Sequence, residues 1–206
     1  MQTFDSWMER SPFLMPIVQI VGFKNSGKTT LACKLIEALT ASGLRVGSAK
    51  HDAHEFDLDD SGTDSARQLE AGAVETVLTS GSQTRWMSRT PATLIDIVKQ
   101  LYGKVDILIA EGFKDAPYPK IALIREPEDL ATLWTAAQDV RIWVSWQTPD
   151  ALEAAADSKQ ATPALSHLRI LSIFEEDKVL QEAVTLALTL HNISCSRHRK
   201  LAKPQG

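Results

Sequence analysis

Short apolar runs and longer amphipathic stretches alternate along this chain of 206 residues. Runs such as 16–21 and 105–110 are rich in Val and Ile and end at Gly or an acidic residue, which is typical of buried parallel strands. Other stretches, such as 29–42, repeat Leu and Ile every three or four positions, which predicts helices with one buried face. The alternation predicts an α/β fold, with a mostly parallel sheet covered by helices on both faces.

The same patterns give bounds for the elements. The predicted strands span 16–21, 45–49, 74–79, 84–88, 105–110, 121–124, 141–144 and 168–174. The predicted helices span 29–42, 63–71, 91–101 and 175–190. The Ala-, Ser- and Asp-rich stretch 150–163 has no clear period and receives no assignment. These bounds predict one domain over 16–193, an N-terminal extension over 1–15 and a basic C-terminal tail over 194–206.

Composition and charge restrict the function classes. The chain has 22 Lys and Arg against 26 Asp and Glu, a net charge of −4, which argues against a nucleic-acid surface. It has only 2 cysteines, which excludes a disulfide scaffold and a cysteine-rich zinc site and fits a reducing cytoplasm. No apolar run approaches the roughly 18–20 residues that span a bilayer. We therefore expect a cytoplasmic protein with no membrane or nucleic-acid partner.

The sharpest chemical signal is a phosphate-binding loop directly after the first predicted strand. Residues 22–29 read Gly-Phe-Lys-Asn-Ser-Gly-Lys-Thr and match G-x4-G-K-[ST]. Its glycines allow the backbone to curl so that N–H groups and the following helix cradle phosphate oxygens, Lys28 supplies a cation, and the Thr29 hydroxyl is placed to bind Mg²⁺. The predicted nucleotide-binding residues of this loop are Gly22, Phe23, Lys24, Asn25, Ser26, Gly27, Lys28 and Thr29.

A second half of the site is predicted after the apolar strand 105–110. That strand leads directly into Glu111. A carboxylate at the carboxyl end of a parallel strand faces the ligand crevice of an open α/β sheet. Glu111 is therefore the predicted Mg²⁺ carboxylate, and Lys28 and Glu111 are the predicted catalytic residues.

The acidic stretch 51–64 allows two interpretations. It contains six Asp and Glu residues and no Lys or Arg, which is the usual composition of a solvated loop. It also follows a predicted strand, so its carboxylates could lie beside the phosphate loop, bind Mg²⁺ or its waters, and respond to the γ-phosphate as a switch segment. His51 and His54 lack a clear third ligand, so we assign no metal other than Mg²⁺.

Four segments in order carry a resemblance to a known family. They are GFKNSGKTTL (22–31), KHDAHEFDLD (50–59), SGTDSARQLEAGA (61–73) and AEGFK (110–114). Together they resemble the molybdopterin-guanine dinucleotide biosynthesis protein B family, MobB. The resemblance extends over 16–125, and beyond it only the rhythm of strands and helices is similar.

The resemblance implies a GTP-binding protein of the P-loop NTPase fold, with three α/β/α layers, weak GTPase activity and a homodimeric assembly. It implies a role beside the guanylyltransferase that attaches GMP to molybdopterin, with molybdopterin as a further candidate ligand. By the family pattern, Thr30 joins the phosphate-binding residues, and Gly112 and Lys114 accompany Glu111. Asp57 is the candidate third Mg²⁺ ligand. The switch-like loop would comprise Lys50, His51, Asp59, Gly62, Asp64 and Ser65.

Guanine selectivity comes from the resemblance and not from a motif in the sequence. The chain has no N-K-x-D segment, and Trp146 stands where relatives tend to have an aspartate after a late strand. Three alternatives stay open: a small-molecule kinase of the P-loop class, a metal-delivery GTPase, and a non-catalytic adapter. The chain shows no arginine-rich lid, which counts against the kinase, and few histidines or cysteines, which counts against metal delivery.

Overall fold

Six parallel strands form the main sheet of the computed structural model, which describes residues 15–52, 55–158 and 168–201. The chain's strands are β1 (Ile17–Gly22), β2 (Val46–Lys50), β3 (Glu75–Thr79), β4 (Thr84–Ser88), β5 (Ile107–Glu111), β6 (Lys120–Ile124), β7 (Val140–Ser145) and β8 (Ile170–Ser172). The order in the main sheet is β2-β5-β1-β6-β7-β8, and every neighbouring pair is parallel. The predicted α/β fold with a mostly parallel sheet is confirmed.

The described residues also form six helices, some of which cover the two faces of the main sheet. They are α1 (Lys28–Ala41), α2 (Asp64–Glu70), α3 (Leu94–Leu101), α4 (Asp129–Ala136), α5 (Pro149–Ser158) and α6 (Glu176–Leu201). On one face, Leu130 and Leu133 of α4 pack in a buried cluster with Val21, Ala122 and Trp143 of the sheet. On the other face α1 and α6 pack against each other and against β1. The architecture is a three-layer α/β/α sandwich.

Several element predictions were incomplete. The helices α4 and α5 were not predicted, although Leu130 and Leu133 have helical spacing and Pro149 suits a first turn. Both helices are short, and their few apolar positions gave a weak periodic signal. The last helix continues to Leu201, beyond its predicted end at 190, since the polar segment after 190 follows a helix already anchored to the core. Strand β8 is shorter than its predicted range of 168–174.

The described residues fall into two compact units. The main unit comprises the residues up to His51 and from Ile97 onward, and the small unit comprises Asp52–Asp96. In the small unit, β3 and β4 form an antiparallel two-stranded ribbon separate from the main sheet. None of the helices in the described ranges is both long and apolar enough to cross a bilayer. Residues 1–14, 53–54, 159–167 and 202–206 lie outside the described residues, and they include nearly all of the predicted extension 1–15 and the end of the predicted basic tail.

The connection from β5 to β6 has no helix. Two buried polar side chains instead form hydrogen bonds with its backbone. Gln19 of β1 donates from Nε2 to the carbonyls of Gly112 (3.2 Å) and Phe113 (2.7 Å), and its Oε1 accepts the Tyr118 N–H at 3.3 Å. Lys120, fully buried at the start of β6, donates from Nζ to the carbonyls of Ala116 and Tyr118. Backbone groups of a loop that crosses a sheet need such partners, because burying them unpaired is costly.

Burial lowers the pKa of Lys120 from its usual 10.5 to about 8, and the carboxylates of Asp139 and Asp115 only partly offset this. Between these two values the unfolded chain keeps a proton that the folded chain has released, so the free energy of unfolding rises with pH. We expect wild type to gain stability relative to Lys120→Met as pH rises from 8 to 10.5, as measured by urea unfolding.

The exposed Lys104 provides the matched control. Lys104→Met should follow the wild-type pH profile, because this substitution changes only a side chain that lies in solvent. Parallel profiles for wild type and Lys120→Met across this range would contradict the assignment of a depressed pKa to Lys120.

Candidate functional site

The phosphate-binding loop joins β1 to α1, and its geometry requires glycine at two positions. A Cβ at Gly22 would lie 2.8 Å from the Leu123 carbonyl oxygen and 2.6 Å from Ser26 Oγ, so no larger residue fits without moving the backbone. Gly27 has φ 97°, a left-handed conformation that glycine adopts without a steric penalty. Asn25 also has a positive φ of 60°, which Asn tolerates better than most residues. The loop therefore curls tightly at the start of α1.

Several hydrogen-bond donors lie where this loop meets α1. The first N–H groups of α1 belong to Lys28, Thr29 and Thr30, which have no intrahelical acceptor because of their position. Lys28 Nζ donates to the Phe23 carbonyl at 2.7 Å, and Ser26 Oγ donates to the same oxygen at 2.9 Å. The ammonium group thus lies across the loop. The partial positive charge of the helix N-terminus and the lysine cation together suit a phosphate anion.

Glu111 connects the ends of three elements. Its side chain is only 10% exposed, and its oxygens accept the Thr29 hydroxyl at 2.9 and 3.0 Å. Lys50, the last residue of β2, places Nζ 3.5 Å from Glu111 Oε1 and 3.5 Å from Thr29 Oγ1. The ammonium group compensates the negative charge of a carboxylate that is otherwise largely removed from water.

The donor set of Thr29 and Glu111 fits Mg²⁺ with its phosphate ligands. Magnesium prefers oxygen ligands and is usually held by one or two carboxylates together with waters and substrate phosphates. A hydroxyl and a carboxylate already in contact at the helix N-terminus match this requirement. Within 15–52, 55–158 and 168–201, no three side chains among His, Cys, Asp and Glu are grouped to hold a metal without such a ligand.

The segment after Glu111 is tied to the phosphate loop and to β2. Gly112 has φ 86°, and a Cβ there would lie 3.0 Å from the His51 carbonyl oxygen. The His51 ring lies 5.2 Å from the Phe113 ring, centroid to centroid. Lys114 places Nζ 3.9 Å from the centre of the Phe23 ring, a cation–π contact. Within the family segment 111–114, Glu111 contacts Thr29 and Lys114 contacts Phe23, both in the loop 22–29. Gly112 allows the backbone to pass close to the His51 carbonyl.

Trp146, at the carboxyl end of β7, contacts the phosphate loop, and the sequence analysis gave it no role. Its indole Nε1 donates to the Ser26 carbonyl at 2.9 Å. The Arg125 guanidinium lies 4.3 Å from the centre of the Trp146 ring, and the Phe174 ring meets it edge to face at 5.7 Å. The available signal was its position: Trp146 directly follows an apolar strand in a sheet whose carboxyl ends carry the site.

The other predicted switch residues lie in the small unit, where Asp59 organises the local structure. Asp59 is only 3% exposed at its side chain, accepts hydrogen bonds from Ser65 and Thr63, and pairs with Arg85 at 2.7 Å. Hydrogen bonding by Ser65 holds the pKa of Asp59 below its usual range, assisted by the Asp60 backbone N–H, Thr63 and Arg85. These contacts describe a structural carboxylate.

The remaining members of the predicted loop are more accessible. Asp57 and Gly62 are exposed, and the Asp64 side chain is 98% exposed at the start of α2. Thr63 caps this helix, because its hydroxyl accepts the Ala66 N–H at 3.1 Å. Their predicted approach to the phosphate loop, and the Mg²⁺ role of Asp57, stay predictions. His54 lies outside the described residues.

Comparisons with known proteins place the geometry in context. A family model described as molybdopterin guanine dinucleotide synthesis protein B, MobB, matches residues 17–146. The molybdopterin-guanine dinucleotide biosynthesis adapter protein of Haemophilus influenzae is 38% identical over 115 residues, which is 54% of this chain and 65% of that relative. The corresponding Escherichia coli adapter protein is 37% identical over 134 residues, covering 57% of this chain and 73% of the relative.

A solved structure extends the similarity beyond the matched segment. The crystal structure of Bacillus subtilis MobB superposes with a TM-score of 0.64 at 29% sequence identity. The superposition covers 85% of this chain and 98% of the other. The similar fold therefore extends past residue 146, where the family model no longer matches.

Removing the charge of Asp59 should destabilise the small unit at neutral pH. Because its pKa is depressed in the folded state, the carboxylate stabilises the fold above its usual pKa of 3.8, and this stabilisation is lost as pH falls through the folded value. We expect Asp59→Asn to lower the Tm by about a few degrees at pH 7, and the difference from wild type to shrink in acid. Thermal unfolding followed by circular dichroism measures both.

Asp60→Asn is the matched control, because Asp60 is exposed and contributes its backbone N–H and carbonyl to this network. It should keep the wild-type Tm at both pH values. An Asp59→Asn protein as stable as wild type at neutral pH would show that Asp59 is not a structural carboxylate.

Proposed function

This chain belongs to the MobB family, and we propose that it binds Mg-GTP in the loop 22–29 and acts as an adapter in molybdopterin-guanine dinucleotide biosynthesis. The observation that carries the proposal is the contact between the Thr29 hydroxyl and the buried Glu111 carboxylate at the mouth of the glycine loop. The printed names of the relatives, which are biosynthesis adapter proteins, support the pathway and favour an adapter over a kinase or a metal-delivery GTPase.

The loop offers the groups that a triphosphate requires. The N–H groups at the start of α1 would donate to phosphate oxygens, and Lys28 would exchange its contact with the Phe23 carbonyl for one with the β- and γ-phosphates. Such an exchange needs only a side-chain rotation, since the loop backbone is already curled by Gly22 and Gly27. Positioning and charge neutralisation are the main catalytic requirements of phosphoryl transfer.

Thr29 and Glu111 would hold the magnesium ion, which neutralises charge on the β- and γ-phosphates when bound. Asp57 remains the predicted third protein ligand. The Glu111 carboxylate is already engaged by Thr29 and by Lys50, an arrangement that suits holding a cation better than abstracting a proton from water. This supports slow hydrolysis, in which GTP chiefly controls a partner complex.

The proposed partner is the guanylyltransferase that attaches GMP to molybdopterin, and the proposed assembly is a homodimer. Molybdopterin itself is a further proposed ligand. An adapter that uses GTP in this way should bind its partner differently in the presence and absence of nucleotide, because a ligand shifts an equilibrium only through its differential affinity for the two states.

Lys28→Ala should weaken Mg-GTP binding by roughly 10- to 150-fold, the usual contribution of a hydrogen bond to a charged group. Isothermal titration of the full chain measures this loss. In the same preparations, GTP should change the amount of guanylyltransferase captured by wild type and have no such effect on Lys28→Ala.

Lys104→Ala is the control, because Lys104 is exposed and lies on the turn after α3. This turn precedes β5, at the amino end of the strand, whereas the loop lies at the carboxyl end of β1. It should bind GTP and partner as wild type does. Wild-type GTP affinity in a folded Lys28→Ala protein would refute the phosphate site, and capture that ignores GTP in wild type would refute the nucleotide-controlled adapter.

Glu111→Gln should bind GTP in the absence of Mg²⁺ but lose most of the affinity that Mg²⁺ adds. The amide can still accept the Thr29 hydroxyl, so the loop keeps its shape, whereas the charge that holds the cation is gone. Titrations with GTP in EDTA and in excess Mg²⁺, and phosphate release in Mg²⁺, measure the two effects.

The pairing of Asp106 with Arg45 supplies a control carboxylate at the other end of the same strand. Asp106→Asn should keep the full Mg²⁺ effect. If Glu111→Gln also keeps it, together with wild-type phosphate release, Glu111 does not hold the metal.

A further inference from the structure

The carboxyl ends of β6, β7 and β8 bring together three side chains that are not among the predicted nucleotide-binding residues. They are Arg125, Trp146 and Phe174, which follow these strands in that order across the sheet. Arg125 lies over the Trp146 ring at 4.3 Å, and the Trp146 and Phe174 rings meet at 5.7 Å with an interplanar angle of 82°. We call these three side chains the aromatic corner.

The position of the metal ligands decides which way a bound nucleotide would extend. This step rests on the proposed function. Glu111 is on β5, which lies on one side of β1, whereas β6, β7 and β8 lie on the other side. Thr29 and Glu111 would hold the Mg²⁺ that accompanies the terminal phosphates, so the γ-phosphate end would lie near these two residues. The nucleoside would then extend toward the aromatic corner.

Trp146 joins the corner to the phosphate loop. Its indole N–H donates to the Ser26 carbonyl at 2.9 Å, within the loop itself. Its backbone is fixed as well, because the Trp146 N–H donates to the Ile124 carbonyl at 3.0 Å. The Trp146 ring is therefore fixed beside the loop that would hold the phosphates.

Phe174 provides an accessible ring on a rigid backbone. The side chain is 74% exposed, the largest exposure among the large hydrophobic residues of the described ranges. Its neighbours are nevertheless tied down: Ile173 N–H donates to the Ser145 carbonyl at 2.8 Å, and Glu175 N–H to the Ser172 carbonyl at 3.1 Å. The ring packs on Trp146 only edge to face and is otherwise largely exposed, so it has a face available to a stacking partner.

Arg125 is held in a comparable way. Its backbone N–H donates to Asp129 Oδ2 at 3.0 Å, and its carbonyl accepts Gln147 Nε2 at 2.7 Å. A guanidinium is planar and can stack on a ring while N–H groups at its edge donate hydrogen bonds. In Arg125, Nε lies 3.7 Å from Glu126 Oε1. Arg125 therefore adds both a stacking plane and donors for the acceptor atoms of a base.

We propose that Arg125, Trp146 and Phe174 form the nucleobase site of this protein, and that it holds a purine chiefly by stacking on the Phe174 ring. The nearby carboxylates have other partners, since Glu126 pairs with Arg125 at 3.7 Å and Glu175 with Lys178 at 3.0 Å. Every base offers a π-face, so stacking on this corner contributes equally to guanine and adenine nucleotides.

The test compares ligands with and without a base on the full chain. Phe174→Ala should weaken Mg-GTP and Mg-ATP by the same factor, roughly 5- to 150-fold, the usual effect of removing one stacked aromatic. Its affinity for Mg-tripolyphosphate, which has no base, should equal that of wild type. Isothermal titration, with tripolyphosphate also tested by competition against GTP, measures all three.

Two further variants exclude an indirect effect. Phe174→Tyr retains an aromatic ring and should restore both nucleotide affinities. Tyr102→Ala removes another exposed aromatic ring, on the turn after α3, and should leave all three ligands unaffected.

Different outcomes overturn different claims. If Phe174→Ala binds both nucleotides as wild type does while Lys28→Ala loses them, the phosphate site stands and the aromatic corner is refuted. If Phe174→Ala loses GTP affinity alone, with ATP unchanged, stacking is not the means of base recognition. If Lys28→Ala keeps wild-type affinity for GTP and for tripolyphosphate, the proposed function fails, and this inference fails with it.

Discussion

The parallel pairing of β1 with β5 on one side and β6 on the other fixes where every candidate group of the main unit lies. In this register Ile20 is opposite Glu111, and Gly22 is opposite Leu123. The loop that follows β1 must therefore turn between a carboxylate and a backbone carbonyl. Only glycine at position 22 allows this approach, because a Cβ there would lie 2.8 Å from the Leu123 oxygen. The phosphate loop is thus a consequence of sheet packing as well as of its own motif.

The buried polar side chains around β1 and β5 have defined partners. Gln19 and Lys120 satisfy the carbonyls of a crossover that lacks a helix, and the buried Glu111 is balanced by Thr29 and Lys50. Burying such groups without partners would cost several kcal/mol, so these contacts keep the structure in one arrangement. The depressed pKa of Lys120 shows how strongly burial acts even on a lysine with two acceptors.

The predictability of the site differed from residue to residue for physical reasons. Lys28 and Thr29 lie in a contiguous motif whose chemistry depends on local backbone geometry, so the sequence was sufficient to predict them. Glu111 was predicted because a carboxylate that ends an apolar strand has a known location in a parallel sheet, and the structure brings it into contact with Thr29. Asp59 looked like a switch residue, but its oxygens bind Ser65, Thr63 and Arg85. Which partner a carboxylate finds depends on contacts between distant residues.

By itself the sequence determined the class of fold, most strands, the phosphate loop and the family resemblance, because all of these are carried by short-range periodicity and contiguous motifs. Only the tertiary structure decided the order of the strands, the separate ribbon of β3 and β4, and the contact of Lys50 with Glu111. It also decided that Arg125, Trp146 and Phe174 meet. These residues are far apart in the chain. They meet only because β6, β7 and β8 pair side by side, which brings the carboxyl ends of the three strands together.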